Sequence, residues 1–561
     1  MAPFFGENLG RFSVKLDFAM VSTLRRAAYY VASFERRLVP PVILIQENPM
    51  KKLSTFFLVL FVFPLFVYAQ TLDEKLKEID AYANLVMTEW KGPGMAIGIV
   101  KDDQLISAKG YGARQLGKPE TVDENTVFAI ASNSKAFTTA SLAILVDEKK
   151  LAWDDKVSKY LPEFEMYDPW VTNEVTVRDL VTHRVGLDTF SGDLLWYETT
   201  YSADEILNRV RHLKPVSSFR SRFGYQNLMF VAAGRVIEKV SGKSWAQFVT
   251  ERILQPLGMN RTTTSIKGLK SNAAFPHNQS GGGTLRVLHR GNVDGAAAAA
   301  ALNSSVADIS KWIRLQLGRG KFEGKQIFSE QRSWEMWQPN IMLPITEAAS
   351  RINPTRHFSA YGMGWALQDY QGRKIISHGG GLDGMLSQTV LIPEENAGFV
   401  ILTNSESPAY LIMMNKIRDV LVNAPKRDWN AEAIEQVKRN KAAAEEEKKK
   451  TDTARVANTR PTLSLANYSG TYADQMYGDV SVSEEKGRLV MRFGPSPNFV
   501  ADLEHWHYDT FQIKWRPSVA YNFPRGFVTF SIDKNGKTDD LKIDQPNNDF
   551  WFYEIMPKRV K

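Results

Sequence analysis

The chain contains no cysteine. That excludes thiolate nucleophiles, disulfide frameworks, zinc–thiolate sites and cysteine-ligated clusters together. A bilayer-length apolar run is missing too: the strongest candidate, residues 56–67, is short for a span and contains Pro64. Nor is there a stripe of one charge. The chain has 70 Lys and Arg against 62 Asp and Glu, a formal net charge of +8, but the two signs are interspersed. Such diffuse basicity offers no track for nucleic acid. What is plentiful is apolar material, 43% of 561 residues, enough for two or three cored domains.

Residues 50–70 read MKKLSTFFLVLFVFPLFVYAQ, with two lysines, an apolar run and a small residue, Ala69, before Gln70. This is the three-region layout of a secretory signal peptide cleaved after Ala69. A signal peptide belongs at an initiator, so Met50 is the expected start and residues 1–49 an upstream translation artefact. The mature chain is expected to begin at Gln70, to be secreted or periplasmic, and to keep no stable membrane span.

Leu76, Ile79, Leu85 and Val86 are spaced for one helix face within residues 72–90, and GMAIGIV, KDDQ and LISAKGYG then read as strand, turn and strand. The apolar run 127–131 leads into Ser132, after which Phe137, Leu142, Ile144 and Leu145 give helical spacing. Ser132 therefore stands at a helix start. Lys135 follows one turn later on the same face, where its amine can approach the serine oxygen. A serine hydroxyl needs such a base to act as a nucleophile at neutral pH. The pair alone is weak evidence, since Ser-x-x-Lys recurs at 483–486 and 531–534, and a capping serine with an exposed lysine is the plainer alternative.

Two further motifs change the balance. FGYQN at 223–227 places Tyr225 and Asn227 before a helical pattern, and KIISHGGG at 374–381 ends an apolar strand in His378-Gly379-Gly380. Both spellings have decoys, Tyr82-x-Asn84 in the first helix and His289-x-Gly291 in a polar loop, so order and context select the set. The ordered motifs Ser132-x-x-Lys135, Tyr225-x-Asn227 and His378-x-Gly380 resemble the penicillin-recognising serine hydrolases: class C β-lactamases, penicillin-binding proteins, and their esterase and D-aminopeptidase relatives. TVRDLVTHRVGL at 176–187, SSVADISKWI at 304–313 and YGMGW at 361–365 extend the likeness over roughly residues 75–425.

The resemblance implies a mixed α/β (α+β) catalytic domain over 70–425, with an antiparallel sheet, a helical lobe and a site between them. It implies that Ser132 forms an acyl-enzyme and that Lys135 and Tyr225 handle the proton. Asn227 would bind a substrate amide and position Lys135, and His378 and Gly380 would line the scissile bond. The amides of Ser132 and Gly381 would form the oxyanion hole. Tyr225 suits proton abstraction only if its pKa falls well below about 10, so the choice of base stays open here.

One departure is informative. Where β-lactamases and transpeptidases usually carry Lys-Thr-Gly or Lys-Ser-Gly, this chain has His378-Gly379-Gly380. An imidazole, mostly neutral above about 6.5, is a poor anchor for a substrate carboxylate. The expected activity is thus a D-amino-acid peptidase or esterase on small peptides, amides or esters, with β-lactamase or DD-carboxypeptidase as the alternative. A non-catalytic ligand-binding or sensor role is the alternative from another class.

The other candidates read more simply. His183 is expected to be a structural hydrogen-bonding residue, and Trp196 and Tyr197 are core aromatics or a pocket wall. His505 and His507 share a strand face without a carboxylate cluster, so no metal and no organic cofactor are expected. The alanine run 296–300 suggests close packing. Residues 426–460 read as a charged helical linker, and 461–561, with YSGTY and short alternating runs, as an antiparallel β-barrel resembling the lipocalin-like domain attached to some of these hydrolases. Such a barrel can hold a ligand, cover a site or mediate assembly.

Overall fold

A computed structural model describes residues 70–279 and 283–560. The expected signal peptide and the expected start at Met50 lie outside the described residues.

Helix α1 (Leu72–Trp90) opens with a reciprocal cap: the Glu74 amide donates to the Thr71 hydroxyl, and the Thr71 amide to the Glu74 carboxylate. Strands β1 (Gly94–Lys101) and β2 (Gln104–Gly112) form a hairpin turned at Asp102 and Asp103. Both turn residues take positive φ, as a two-residue type I′ turn requires. The helical part follows, with α2 (Ser134–Asp147), α3 (Asn227–Ser241) and α4 (Val306–Leu317). The chain then returns to the sheet with β3 (Ile341–Met342), β4 (Ser359–Tyr361), β5 (Ala366–Tyr370), β6 (Arg373–Leu382), β7 (Met385–Ile392) and β8 (Ala397–Thr403). The strand order is β2-β1-β8-β7-β6-β5-β4-β3, antiparallel throughout.

The central strands are apolar on both faces because each face has its own helices. Along β1, Met95, Ile97 and Ile99 pack with Ile79 and Val86 of α1 and with Ile412, Met413 and Ile417 of α5 (Ala409–Val422). The alternate residues Ala96 and Val100 join the core that contains Val306, Ile309 and Ile313 of α4. Gly98 lets α4 approach, since a Cβ there would lie 2.8 Å from the Ser310 hydroxyl. From the other side of α4, Trp312 stacks on Phe137 of α2, ring centroids 3.9 Å apart, and so ties the helix bearing the serine–lysine motif to the sheet. Trp312→Ala is expected to lower hydrolase-domain stability by about 3–5 kcal/mol, read as a drop in the urea midpoint of its unfolding.

Helix α6 (Trp429–Thr453) buries only Trp429 and Asn430 and otherwise faces solvent. A closed eight-stranded barrel follows: β9 (Gly470–Ala473), β10 (Val480–Glu485), β11 (Arg488–Phe493), β12 (Ser496–His507), β13 (Thr510–Trp515), β14 (Gly526–Ile532), β15 (Thr538–Asp544) and β16 (Lys558–Arg559). The architecture is thus mixed α/β with a C-terminal antiparallel barrel. Phe493, Phe499, Trp515, Phe523 and Phe552 pack on one another within it. A bulge in β12 lies between His505 and His507, and each ring bonds backbone, His505 to the Tyr508 carbonyl and His507 to the Val456 amide. Among the described residues no group of His, Asp and Glu is placed to hold a metal ion, and no helix is long and apolar enough to cross a membrane.

Candidate active site

Ser132 lies in a tight 3-10 turn, Ala131–Asn133, just before α2. It is no cap: α2 has no side-chain cap bond, and the residue at the cap position is Asn133. The preceding Ala131 is held at φ 44°, a left-handed conformation that a non-glycine residue adopts at a cost. Three bonds maintain the turn. The Ser134 hydroxyl donates to the Ala131 carbonyl (2.7 Å), Asn133 Nδ2 to the Ser387 hydroxyl (2.8 Å), and that hydroxyl to the Ile130 carbonyl (2.8 Å).

Lys135 is completely buried, and its Nζ meets three oxygens: Asn227 Oδ1 at 2.6 Å, the Ala299 carbonyl at 3.0 Å and Ser132 Oγ at 3.0 Å. The first two can only accept, so they fix two of the amine's hydrogens. The remaining position faces the serine hydroxyl, as a third N–H in the ammonium and as a lone pair in the free amine. Burial drives the Lys135 pKa from the usual lysine range down to about 7, against the pull of the Asp193 carboxylate. The free amine is therefore accessible at neutral pH.

The alanine run supplies one of those oxygens. Gly234 of α3 lets the 297–300 turn come close, since a Cβ there would sit 2.6 Å from Ala298 Cβ. The carbonyls of Ala298 and Ala299 then take the Thr138 hydroxyl and the Lys135 amine.

Asn227, first residue of α3, also donates from Nδ2 to Asp193 Oδ2 at 2.6 Å. No sequence motif marks Asp193. It is 3% exposed, and burial raises its pKa to about 7 despite the Asn227 hydrogen bond. The only hint was an acidic residue inside the otherwise apolar stretch GDLLWY. Burial holds the Tyr225 phenol above its usual range, an effect that the Ser132 hydroxyl opposes without overcoming. The lowered pKa that proton abstraction by Tyr225 required is not found.

His378 lies on β6, which loses its β5 partner beyond Ser377 and so presents a free edge over 378–382 toward the Ser132 turn. Its Nδ1 faces the Gly379 carbonyl at 2.6 Å and so carries the hydrogen, while Nε2 accepts from the Tyr361 hydroxyl at 2.9 Å. Burial, then the charge of Lys135, presses its pKa to about 3. The ring is neutral and spends both nitrogens inside the protein, fixing the strand instead of offering a donor to a substrate. Gly380 is pressed against the nucleophile turn: a Cβ there would lie 2.1 Å from the Ile130 carbonyl and 2.4 Å from the Ser387 hydroxyl. Gly381 follows on the same edge, partly exposed like Ser132.

The remaining candidates are placed elsewhere. His183 accepts the Gln226 amide at Nδ1 (2.9 Å) and packs its ring 4.2 Å from that of Tyr225, a structural partner of the Tyr225 segment. Tyr197 donates to Asp383 (2.6 Å) and packs on Phe550 and Phe499 of the barrel, so it belongs to the barrel contact. Of the decoys, Tyr82 bonds Asp428 and His289 bonds Glu198, both outside this cluster.

A family model described as beta-lactamase matches residues 79–421, well over half of the chain. The chain belongs to the beta-lactamase family. A second model, a domain of unknown function (DUF3471), matches 454–556. Among curated relatives, the unguisins hydrolase ungD' of Aspergillus campestris is 29% identical over 75% of this chain and 79% of its own length. Protein flp of Staphylococcus aureus strain MW2 is 26% identical over 65% and 70%. The octameric penicillin-binding protein homologue of Pyrococcus abyssi shares the fold at TM-score 0.56 and 21% identity, covering 86% of this chain and all of that one. SurE crystallised with D-Leu matches at TM-score 0.50 and 17% identity over 87% and 100%. Family membership and the hydrolase-named relative make this beta-lactamase-family chain a serine hydrolase in the general sense.

Proposed function

We propose that this beta-lactamase-family chain is an exported peptidase or esterase that acts through a Ser132 acyl-enzyme on small peptides, amides or esters. The observation that carries this reading is the Lys135 amine, pinned by two acceptor oxygens with its third position 3.0 Å from Ser132 Oγ. In the free-amine form Lys135 takes the serine proton as Oγ bonds the substrate carbonyl carbon. The amides of Ser132 and Gly381 receive the developing oxyanion. The Tyr225 hydroxyl, kept protonated, relays a proton to the leaving group, and water then releases the acyl group. Asn227 retains one Nδ2 hydrogen for a substrate carbonyl. The neutral His378 supports a substrate without an obligatory carboxylate at that position, and a relative named as a hydrolase and a fold neighbour crystallised with D-Leu are in keeping with that reading.

The test is intact mass after exposure to a fluorophosphonate, a penicillin and an aryl ester. A Ser132-dependent adduct with ester or amide turnover supports the reading. Rapid hydrolysis of a chromogenic cephalosporin would replace it with the β-lactamase reading, and no Ser132-dependent adduct from folded protein would leave a binding role.

The pH dependence follows from the base. Protonated Lys135 cannot accept the serine proton, so kcat/KM is expected to rise from pH 6 to pH 8, on a limb centred near about 7. Asp193, raised to about 7 and joined to Lys135 through Asn227, titrates with it, so the limb belongs to the pair. His378, at about 3, contributes nothing in that window. A pH profile with a slow aryl ester measures it.

A further inference from the structure

The barrel reaches the hydrolase domain beside the candidate site, through the segment that closes its chain. From the short turn Phe552–Glu554, the Glu554 carboxylate accepts from the Ser191 hydroxyl at Oε1 (2.6 Å) and from the Gly192 amide at Oε2 (3.1 Å). Tyr477, also of the barrel, donates to the same carboxylate. The Trp551 indole donates to the Thr189 carbonyl at 2.6 Å.

The turn so gripped, residues 188–193, touches the catalytic set from the other side. The Thr189 hydroxyl accepts the Tyr225 amide (3.1 Å), the Phe190 amide donates to the Tyr225 carbonyl (2.8 Å), and Asp193 accepts from Asn227. Phe190 at φ 63° and Gly192 at φ 81° hold the turn in left-handed conformations that are short of intrinsic preference for a phenylalanine and easy only for the glycine. A turn of this kind keeps its shape only where its surroundings over-determine it. Glu554 bonds two successive residues of it, and the next residue is Asp193.

We propose that Glu554 is a positioning residue: the barrel completes the active site in cis by clamping the 188–193 turn, which sets Asp193, Asn227 and hence the Lys135 amine. The assignment rests on the acyl-enzyme reading for its catalytic consequence but not for the clamp itself. It gives the barrel a task that does not require a ligand inside it.

Two readouts on the full chain separate these. With Glu554→Ala, hydrogen exchange is expected to rise in peptides covering 188–197 and 225–230, while the barrel strands stay protected. The rate of fluorophosphonate reaction at Ser132 is expected to fall roughly 10- to 100-fold, as for small misplacements of catalytic groups. Glu554→Gln, which can still accept from Gly192 and Tyr477 and donate to Ser191, is expected to restore both. Unchanged exchange in those two peptides overturns the clamp, whatever the wild-type activity. Raised exchange with an unchanged reaction rate overturns the positioning role, leaving Glu554 purely structural. A wild type that does not react with the probe defeats the acyl-enzyme reading instead, and the exchange result then still decides the clamp. If Glu554→Ala is not recovered folded, Ser191→Ala removes the Oε1 bond from the hydrolase side and is scored the same way.

Discussion

Ser132→Ala is expected to abolish probe labelling and to lower ester or amide turnover by roughly 10⁴- to 10⁶-fold, the scale on which serine hydrolases lose activity with their nucleophile. The fold should survive, because the hydroxyl's partner is the Lys135 amine and not the turn that carries it. The side-chain bonds of Ser134, Asn133 and Ser387 that maintain the turn around it do not involve the Ser132 hydroxyl. Alanine keeps the backbone and the Ser132-position amide, so the oxyanion donors stay in place. Lys135 keeps its two carbonyl acceptors, Asn227 Oδ1 and Ala299 O. Thermal unfolding should therefore track wild type while mass spectrometry shows no adduct. A labelled Ser132→Ala protein would move the nucleophile elsewhere.

How much of this site could be read from sequence follows from the range of each interaction. Ser132 and Lys135 are legible because a helix start brings residues three apart onto one face, whereas Tyr225 and Asn227, two apart in the extended lead-in to α3, are legible through their place in the ordered motif set. The hairpin at 94–112 is legible because two strand-like runs flank the polar KDDQ turn, although β1, buried on both faces, shows no alternation. The partners that tune the site are long-range. Ala299 reaches Lys135 across 164 positions and Ser387 reaches Asn133 across 254, and neither residue type advertises its role. Asp193 stays hidden because burial, not sequence, gives it a chemical consequence. His378 is the instructive case: its motif position is legible, but its two hydrogen bonds, to Tyr361 and to its neighbour's carbonyl, decide that it braces the strand. Glu554, at the far end of the chain, carries no local pattern at all.

Lys135→Met carries the second large effect and isolates the base. Methionine approximates the length of the lysine stem without the amine, so the packing among α2, α3 and the 297–300 turn is kept while the proton acceptor is removed. Acylation is expected to slow by roughly 10²- to 10⁴-fold, the range supplied by a positioned general base. The pH limb near about 7 should disappear with it, because the group that gains and loses the proton is gone. Two opposing changes bear on stability. Relief from burying an ammonium favours the variant, while Asn227 Oδ1 and the Ala299 carbonyl lose a donor, at about 1–3 kcal/mol for each buried acceptor left unpaired. Asp193 does not become a stranded charge. Lys135 is one of the influences lowering its pKa, so without the ammonium the carboxyl rises further and stays protonated at pH 7. The variant should thus fold, label slowly and show a flat profile between pH 6 and pH 8. A profile that kept its limb in Lys135→Met would assign the titration to Asp193 alone and transfer the base role to a group outside this pair.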